Sequence, residues 1–335
     1  MTGSASNPAT SVVIGLLDQL APGDRPLVVE EASGQLQAAL SARGCAVLAW
    51  LRNVGAGGEA KAWPPAGPFS AVFVRLPKAK GALDLALHAA ASAVPGGAPM
   101  VLFGANDEGI RSAGSRLAAV TEDVQTLDTR RHCRVLMGLR RGTIEGLKVR
   151  LSDWRAVGEI EIGGARRAWV SYPGLFAGGR LDDGTAMLLS HLPELPAGGR
   201  VLDFGCGTGV IGAAILAKQP QAVVDLIDVD ALAIEAVREN VPPGRAMLGD
   251  RLAAVGKGRY DAIVSNPPLH TGVEEHHGAM QRLIRDAPGR LNGGGVLQLV
   301  VQRRVKAGEL MQEAFGNVAV VAEDGRYRVL RSVRR

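Results

Sequence analysis

The chain has 335 residues, 47% of them hydrophobic and 4% aromatic, which is enough for about two domains with aliphatic cores. No apolar run approaches the ~20 residues of a membrane span, and the three distant cysteines Cys45, Cys133 and Cys206 argue against a disulfide framework. The net charge of +5 permits a phosphate-rich partner without requiring one. Because the N-terminus also lacks signal-peptide features, we expect a cytoplasmic protein without membrane contact.

The first half of the chain has the pattern of an α/β domain. Residues 1–10 are polar, and we expect them to be disordered. Short apolar runs then alternate with Ala- and Leu-rich helical patterns such as GALDLALHAAASAV. The runs are RPLVVE, GCAVLAWL, FSAVFVRL, APMVLFG and CRVLMGLR. This alternation predicts a parallel sheet covered by helices, and we assign residues 11–150 to the first domain.

The second half, residues 151–335, repeats this pattern after a connecting stretch. In that stretch the runs EIEI and AWVSY flank a Gly-Gly pair, which predicts a β-hairpin. A new strand and helix series starts at GRVLDFGCGTGV. We therefore predict an α/β fold made of two tandem Rossmann-like domains.

A glycine-rich turn opens the second series. Gly205, Gly207 and Gly209 lie between an apolar strand and a helix, where glycine lets the backbone turn tightly beside a ligand. Dinucleotide-binding folds have the spacing G-x-G-x-x-G, whereas the third position after Gly207 is Val210. The turn predicts a nucleotide-like ligand and argues against a nicotinamide dehydrogenase.

Three carboxylates accompany this turn. Asp203 lies inside an apolar strand, where a carboxylate is costly unless it is engaged. Asp228 ends the next strand and is placed to bind ribose hydroxyls. Asp250 ends a third strand, where it is placed to accept from an adenine amino group. A helix cap or a turn is the alternative for each.

The motif SNPPLH follows the apolar run YDAIV, a predicted fourth strand. Pro267 and Pro268 fix the backbone and remove donors, so Asn266 is the last residue that the strand can include. A plain strand-to-loop turn would explain this motif when it is taken alone. Ligands of open α/β sheets, however, bind outside the carboxyl ends of the strands.

This order of glycine turn, acids and Asn-Pro-Pro resembles the class I S-adenosylmethionine methyltransferases that modify amino groups. The resemblance implies S-adenosylmethionine as cofactor. It also implies that Asn266 and Pro267 offer carbonyl acceptors that orient the amine, while the prolines, including Pro268, keep them rigid. The implied cofactor-binding residues are Asp203, Gly205, Gly207, Gly209, Asp228 and Asp250.

The segment from Tyr172 to Pro193 narrows the resemblance. Its Pro-Gly-Leu-Phe and Leu-Asp-x-Gly-Thr elements, together with NPPLHTG and GRYRVLRS, are similar to the RsmC-like ribosomal RNA guanine-N2 methyltransferases. There the segment folds over the cofactor and the target base; a connecting loop that caps a helix at Asp182 or Thr185 is the alternative. The substrate-binding residues implied are Phe176, Asp182, Leu269 and His270. Leu269 replaces an aromatic residue that many relatives have.

The resemblance covers the first half as a degenerate methyltransferase domain that serves as a scaffold and helps to bind RNA. The turn predicted to correspond to the glycine turn, FGANDEGIRS, has only Gly104 and Gly109, and no Asn-Pro-Pro follows it. Candidate phosphate contacts are Lys78, Lys80, Arg111, Arg130, Arg131 and Arg134, with a solvated face as the alternative. The C-terminal arginines at positions 326, 328, 331, 334 and 335 fit either a phosphate-rich partner or a solvated edge strand.

We therefore expect methyl transfer from S-adenosylmethionine to guanine N2 of small-subunit ribosomal RNA. The same site would also suit a release-factor glutamine amide, adenine N6 or a large-subunit guanine. A non-catalytic RNA-binding or assembly protein is the alternative of a different class. The expected partner is ribosomal RNA or the small ribosomal subunit, and the expected state is a monomer with intramolecular domain pairing. We expect no metal, since His276 and His277 lack ligands at useful spacing.

Overall fold

The computed structural model describes residues 7–55, 59–77, 79–267 and 274–335. The chain divides into two compact units, Met1–Arg155 and Ala156–Arg335. Their boundary lies five residues after the predicted one at 150. Within the described ranges, no helix is long and apolar enough to cross a membrane.

The described residues form helices and strands in an alternating order. The helices are α1 (Pro8–Ile14), α2 (Leu17–Leu20), α3 (Gln35–Ser41), α4 (Lys80–Ser92), α5 (Gly114–Leu117), α6 (Asp183–Leu189), α7 (Val210–Lys218), α8 (Ala231–Asn240), α9 (Glu274–Asp286) and α10 (Ala307–Phe315). The strands are β1 (Leu27–Val29), β2 (Leu48–Trp50), β3 (Val72–Arg75), β4 (Pro99–Ala105), β5 (Thr121–Arg130), β6 (Cys133–Arg140), β7 (Ala156–Ile162), β8 (Ala165–Ser171), β9 (Arg200–Phe204), β10 (Val223–Asp228), β11 (Arg245–Leu248), β12 (Tyr260–Ser265), β13 (Leu291–Gln302), β14 (Ala319–Glu323) and β15 (Tyr327–Val333).

The N-terminal prediction is wrong for residues 7–10, while residues 1–6 lie outside the described part of the chain. Pro8 opens α1, and the Asn7 side chain accepts a hydrogen bond of 3.0 Å from the Ala9 amide. An asparagine cap followed by proline is a favourable helix start. Ala9 and Val13 are buried in the core of the first unit, so packing holds this short helix in place.

The first unit contains a six-stranded sheet in the order β2-β1-β3-β4-β6-β5. All five predicted apolar runs form strands, namely β1, β2, β3, β4 and β6. The four neighbouring strands β2, β1, β3 and β4 are parallel, as predicted. The remaining two are not, because β6 runs antiparallel to β4 and β5 runs antiparallel to β6. Sequence reasoning missed β5 because most of its side chains are polar and exposed, as on an edge strand.

The second unit contains a seven-stranded sheet in the order β11-β10-β9-β12-β13-β15-β14. Its first five strands are parallel, whereas β15 pairs antiparallel with both β13 and β14. The chain goes outward from β9 on one side and returns to its other side at β12. The carboxyl ends of β9 and β12 therefore form a topological switch point, where ligands of such sheets bind.

The predicted hairpin is present as the separate two-stranded sheet β7-β8. Gly163 and Gly164 both have positive φ, 63° and 77°, which suits a tight two-residue turn. On its inner face Trp169 and Ile162 are buried in the same cluster as Ile211 of α7 and Val237 of α8. The hairpin thus covers the helices that begin next to the switch point.

The interpretation of the C-terminal arginines as an edge strand is wrong. β15 lies between β13 and β14, so β14 is the edge. Arg331 of β15 donates to the Gln298 side chain at 2.7 Å, and burial lowers the pKa of its guanidinium. Arg334 donates to the Leu291 carbonyl. Arg331 within β15 and Arg334 directly after it are therefore engaged within the unit.

Candidate active site

The glycine turn after β9 has the geometry of a ligand cradle. Gly205, Gly207 and Gly209 have φ values of 70°, 54° and 90°, a region that glycine adopts readily. A Cβ added to Gly205 or Gly207 would have no described neighbouring atom within 4 Å, whereas a Cβ added to Gly209 would lie 2.7 Å from Val241 Cγ2. The first two glycines leave room for a ligand, and the third lets α7 pack against α8.

Asp203 lies at the base of this turn and is fully buried. Its Oδ2 accepts a hydrogen bond of 3.0 Å from the Gly212 amide in α7, while its buried Oδ1 has no partner among the described residues. Burial raises the pKa of Asp203 to about 7, with the nearby charge of Asp228 adding to the effect. Such a carboxyl group is costly unless a ligand or proton engages it, which marks a functional position.

Asp228, at the end of β10, shapes the glycine turn. Its two carboxylate oxygens accept hydrogen bonds from the amides of Gly207 at 2.8 Å and Asp230 at 3.0 Å. Helix α8 is capped by Asp230, whose side chain accepts from the Leu232 amide at 2.9 Å. The alternative interpretation of Asp228 as a helix cap is therefore wrong. Burial raises the pKa of Asp228 to about 6. The carboxylate retains lone pairs for further donors.

Asp250 lies two residues beyond the end of β11 instead of at its last position. Gly249, between them, donates its amide to the Asp228 carbonyl at 2.8 Å, which holds this loop beside the glycine turn. The Asp250 side chain is 39% exposed and contacts Arg251 at 3.3 Å. It therefore lies at the carboxyl edge of the sheet with an accessible carboxylate.

Asn266 follows β12 directly and is fixed by two residues from a distant part of the chain. Its Nδ2 donates to Thr185 Oγ1 at 2.8 Å and lies 3.4 Å from both carboxylate oxygens of Asp182. Thr185 Oγ1 in turn donates to Asp182. Because every neighbour on this side is an acceptor, the amide nitrogen must point there. The Asn266 carbonyl oxygen is directed away from these acceptors.

The segment before α6 has two roles in the structure. Asp182 is the helix cap that the alternative interpretation predicts, since it accepts from the amides of Gly184 at 3.1 Å and Thr185 at 3.2 Å. The same carboxylate faces the Asn266 amide, so the segment also reaches the end of β12. Phe176 lies on this segment and is 51% exposed.

Sequence reasoning missed three residues that join the hairpin to the glycine turn. Trp169 Nε1 donates to Thr208 Oγ1 at 3.0 Å. The Asn240 side chain bonds both backbone groups of Val170, at 2.8 and 2.9 Å, and donates to the Thr208 carbonyl at 3.0 Å. A lone tryptophan in the hairpin and an asparagine at a helix end were the only signals in the sequence, and neither points to a turn tens of residues away.

Several predicted residues lie outside the described part of the chain. Pro268, Leu269, His270 and Lys78 belong to the undescribed ranges, and the side chains of His276 and His277 are likewise not described. Among the residues that are described, no cluster of His, Cys, Asp and Glu could hold a metal ion.

Burial raises the pKa of the Cys206 thiol well above its ordinary range, so this cysteine is a neutral thiol at pH 7.

The prediction that FGANDEGIRS, after β4, is the first unit's equivalent of the glycine turn is wrong. β1 has the central position that β9 has in the second sheet, so the turn equivalent to the glycine cradle follows β1 and not β4. That turn contains Glu30 at φ 58° and the buried Glu31, whose Oε1 accepts from the amide of Ser33. The position equivalent to Asn266, after β3, is Leu76. The first unit therefore has neither the cradle nor the Asn-Pro-Pro motif.

The second unit thus has the strand order, the glycine cradle and the acidic strand ends that are typical of a class I S-adenosylmethionine-dependent methyltransferase. Residues 167–331 match the methyltransferase small domain, and residues 54–155 match the methyltransferase small domain N-terminal family. The predicted fold class is confirmed.

Curated relatives identify the family. The Ribosomal RNA small subunit methyltransferase C of Hahella chejuensis is 35% identical over 303 residues, which is 86% of this chain and 87% of the relative. The protein of the same name from Pseudomonas paraeruginosa is 37% identical over 274 residues, 79% of each chain. The chain belongs to the ribosomal RNA small subunit methyltransferase C family.

A solved structure supports the fold over the whole length. The Thermus thermophilus 16S rRNA N2 G1207 methyltransferase (RsmC), in complex with AdoMet and guanosine, matches 99% of this chain and 93% of its own. The TM-score is 0.85 at 22% sequence identity. The two-unit architecture is therefore shared, although the sequences have diverged widely.

Proposed function

We propose that the chain transfers the methyl group of S-adenosylmethionine to N2 of a guanine in small-subunit ribosomal RNA. The names of the relatives support the RNA substrate, and the Thermus thermophilus N2 methyltransferase, solved with AdoMet and guanosine, supports the guanine N2 position. The observation in this chain that carries the proposal is the fixed orientation of the Asn266 amide.

The residues of the cradle fit this cofactor. Open space beside Gly205 and Gly207 leaves room for the backbone to approach a nucleoside and its amino-acid tail. Asp203 has a buried acceptor oxygen without a partner among the described residues. Asp228 would accept from the ribose hydroxyls, and Asp250 would accept from the adenine amino group. Gly209 would contribute by letting α7 start close to the site.

Asn266 would orient the amine. The sulfonium cofactor supplies a methyl group that is already activated, so the protein mainly has to position the acceptor in line with it. A guanine N2 amine is conjugated to its ring and is a poor nucleophile. If Asn266 Oδ1 and the Pro267 carbonyl accept its two N–H groups, the nitrogen lone pair is directed at the methyl group. The amine nitrogen would bond to the methyl carbon as the carbon–sulfur bond of the sulfonium breaks, which leaves a neutral thioether. One N–H proton of the methylated amine would then leave to water, so no general base is required.

Asp182 and Thr185 would act as positioning residues for this step. A free asparagine amide can rotate by half a turn and present its NH₂ group instead of its carbonyl. The flipped state would put the amide oxygen 3.4 Å from a carboxylate, where two acceptors repel. The preferred state is therefore the one that suits an incoming amine. Phe176 would flank the base, which has to leave its stack to reach the site. Leu269 and His270 follow the Asn-Pro-Pro motif in the sequence and are candidates for base contact on the family resemblance alone.

The first experiment gives purified protein and labelled S-adenosylmethionine to four acceptors: small ribosomal subunits, naked 16S ribosomal RNA, naked large-subunit ribosomal RNA and a release factor. Label recovered as N2-methylguanosine from small-subunit RNA supports the proposal. Label in large-subunit RNA, in N6-methyladenosine or in the release factor would change the acceptor while keeping the site. Cofactor binding without transfer to any of them would favour a non-catalytic RNA-binding protein.

The first unit, the oligomeric state and the location of the protein complete the proposal. We infer that the first unit is a non-catalytic scaffold that helps to bind RNA. Its exposed Arg111 and Arg131 are candidates, whereas Arg130 pairs with Asp128. The chain would act as a monomer in the cytoplasm. Light scattering of the purified chain and fractionation of its host cells would check these two points.

A further inference from the structure

We propose that four exposed arginines beside Asn266 form a phosphate-binding surface that holds the RNA backbone next to the target base. This arginine surface consists of Arg180, Arg303, Arg304 and Arg326. The inference rests on the proposed function, because it names how the same site would hold its RNA.

The sheet places these arginines at the carboxyl edge, where Asn266 lies. Arg303 and Arg304 directly follow β13, and Arg326 directly precedes β15. The Arg303 amide donates to the Arg326 carbonyl at 2.9 Å, so the two turns are joined. β15 is two strands away from β12, which corresponds to about 10 Å.

The start of α6 connects the arginine surface to the amine site. Asp182 faces the Asn266 amide, and the next residue, Asp183, accepts from Arg326 at 2.8 Å. Arg180 lies two residues before Asp182 and is exposed. Guanidinium groups therefore accompany the segment that reaches Asn266.

The acidic neighbours leave these arginines available. The Arg326–Asp183 pair is 71% and 73% exposed, and such surface pairs contribute little. Asp324 is already engaged, since it accepts from the amides of Arg326 and Tyr327, both at 2.7 Å. Across the described residues, neither Arg180 nor Arg304 has an acidic partner. The four arginines, counted together with Asp182, Asp183 and Asp324, leave this local surface with a net charge of +1 (4 − 3).

The chemistry of these groups favours a phosphate backbone. A guanidinium binds phosphate oxygens through two parallel N–H bonds, which is stronger and more directional than a lysine contact. A base that leaves its stack costs a few kcal/mol, and its flanking phosphates must pass close to the site. The arginines would hold those phosphates, which gives affinity without reading the sequence.

The test measures affinity for 16S ribosomal RNA as a function of salt for wild type, Arg303→Ala/Arg304→Ala and Arg326→Ala. Each lost phosphate contact should weaken binding about fivefold at 0.1 M salt, with no difference near 1 M, and should reduce the log–log salt slope by about 0.7. Arg166→Ala/Arg167→Ala is the matched control, because these exposed arginines lie next to the Gly163–Gly164 turn of the hairpin, which packs on Ala217 near the far end of α7. Calorimetry with S-adenosylmethionine checks that each variant is folded. If one of the variants does not fold, the single variant Arg304→Ala takes its place.

The outcomes separate this surface from the proposed function. Loss of affinity and salt slope in the arginine variants, with the control unchanged, supports the surface. If the variants bind RNA with the wild-type slope while the wild type methylates guanine, the surface is overturned and the function stands. If the variants lose RNA affinity but the wild type methylates no guanine, the surface stands and the function falls.

Discussion

Thr185→Val replaces a hydroxyl by a methyl group of nearly the same size and removes the strongest restraint on the Asn266 amide. The hydroxyl is buried, and it accepts from Asn266 Nδ2 at 2.8 Å while it donates to Asp182. One neutral hydrogen bond contributes about 1 kcal/mol net. Asp182 remains 3.4 Å from the amide, so part of the orientation preference survives.

The loss of about 1 kcal/mol should appear in kcat and not in cofactor binding, since a tenfold rate change corresponds to about 1.4 kcal/mol. We expect kcat for guanine methylation to fall about fivefold, with the dissociation constant of S-adenosylmethionine unchanged within about twofold. Single-turnover methyl transfer and calorimetry measure the two quantities. Thr185→Ser keeps the hydroxyl and is the matched control, with a rate close to that of the wild type.

A fully active Thr185→Val variant would refute the reasoning, because the amide would then hold its orientation without the hydroxyl. Equal losses in Thr185→Val and Thr185→Ser would point to packing of α6 instead. A Thr185→Val variant with weakened cofactor binding would place this residue in the cofactor site and not beside the amine.

Four further predictions concern the cofactor cradle. Gly209→Ala, with φ 90° and a valine methyl 2.7 Å from the new Cβ, should lower the unfolding free energy of the second unit by roughly 3 kcal/mol, measured by denaturant melts. Gly207→Ala meets open space, so it should stay folded and weaken S-adenosylmethionine binding about tenfold in calorimetry. Affinity for this cationic cofactor should rise between pH 5 and pH 8, because Asp203 and Asp228 ionise above pKa values of about 7 and 6. Trp169→Phe removes the indole hydrogen bond to the turn and should raise KM for the cofactor more than it lowers kcat.

Each of these has a clear contradiction. Wild-type cofactor affinity in Gly207→Ala would mean that the turn does not contact the ligand. A stable Gly209→Ala variant would mean that α7 and α8 can move apart without cost. Cofactor affinity that is flat with pH, or that falls as pH rises, would show that cofactor binding does not depend on the ionised forms of these two carboxyl groups. A Trp169→Phe effect on kcat alone would separate the hairpin from the cradle.

The sequence predicts the local backbone features around the candidate site well. The glycine turn, the end of β10 at Asp228 and the strand before Asn266 each follow from a few consecutive residues, because the apolar run and its terminating glycine or proline are local signals. The hairpin at Gly163 and Gly164 is predicted for the same reason. The fold implied by the family resemblance then predicts that these separate strand ends lie at one edge of the sheet.

The parts that depend on sheet order could not be predicted. Arg326 precedes a strand with an apparent edge pattern, but β15 inserts between two strands, and no local pattern reveals such an insertion. The turn in the first unit that is equivalent to the cradle contains Glu31, and it is identified only once β1 is known to be central. Thr185 and Asn266 are 81 residues apart in the chain, so their hydrogen bond is invisible to periodicity.

The orientation of the target amine by Asn266 is the central claim, and one comparison tests it most directly. Wild type and Asn266→Ala are compared in single-turnover methylation of small ribosomal subunits at saturating S-adenosylmethionine, with N2-methylguanosine measured by mass spectrometry of the digested RNA. We predict N2-methylguanosine for the wild type and a loss of at least about 100-fold for the variant, which corresponds to about 2.7 kcal/mol, while cofactor affinity is unchanged. An Asn266→Ala variant that methylates guanine at the wild-type rate would contradict the account.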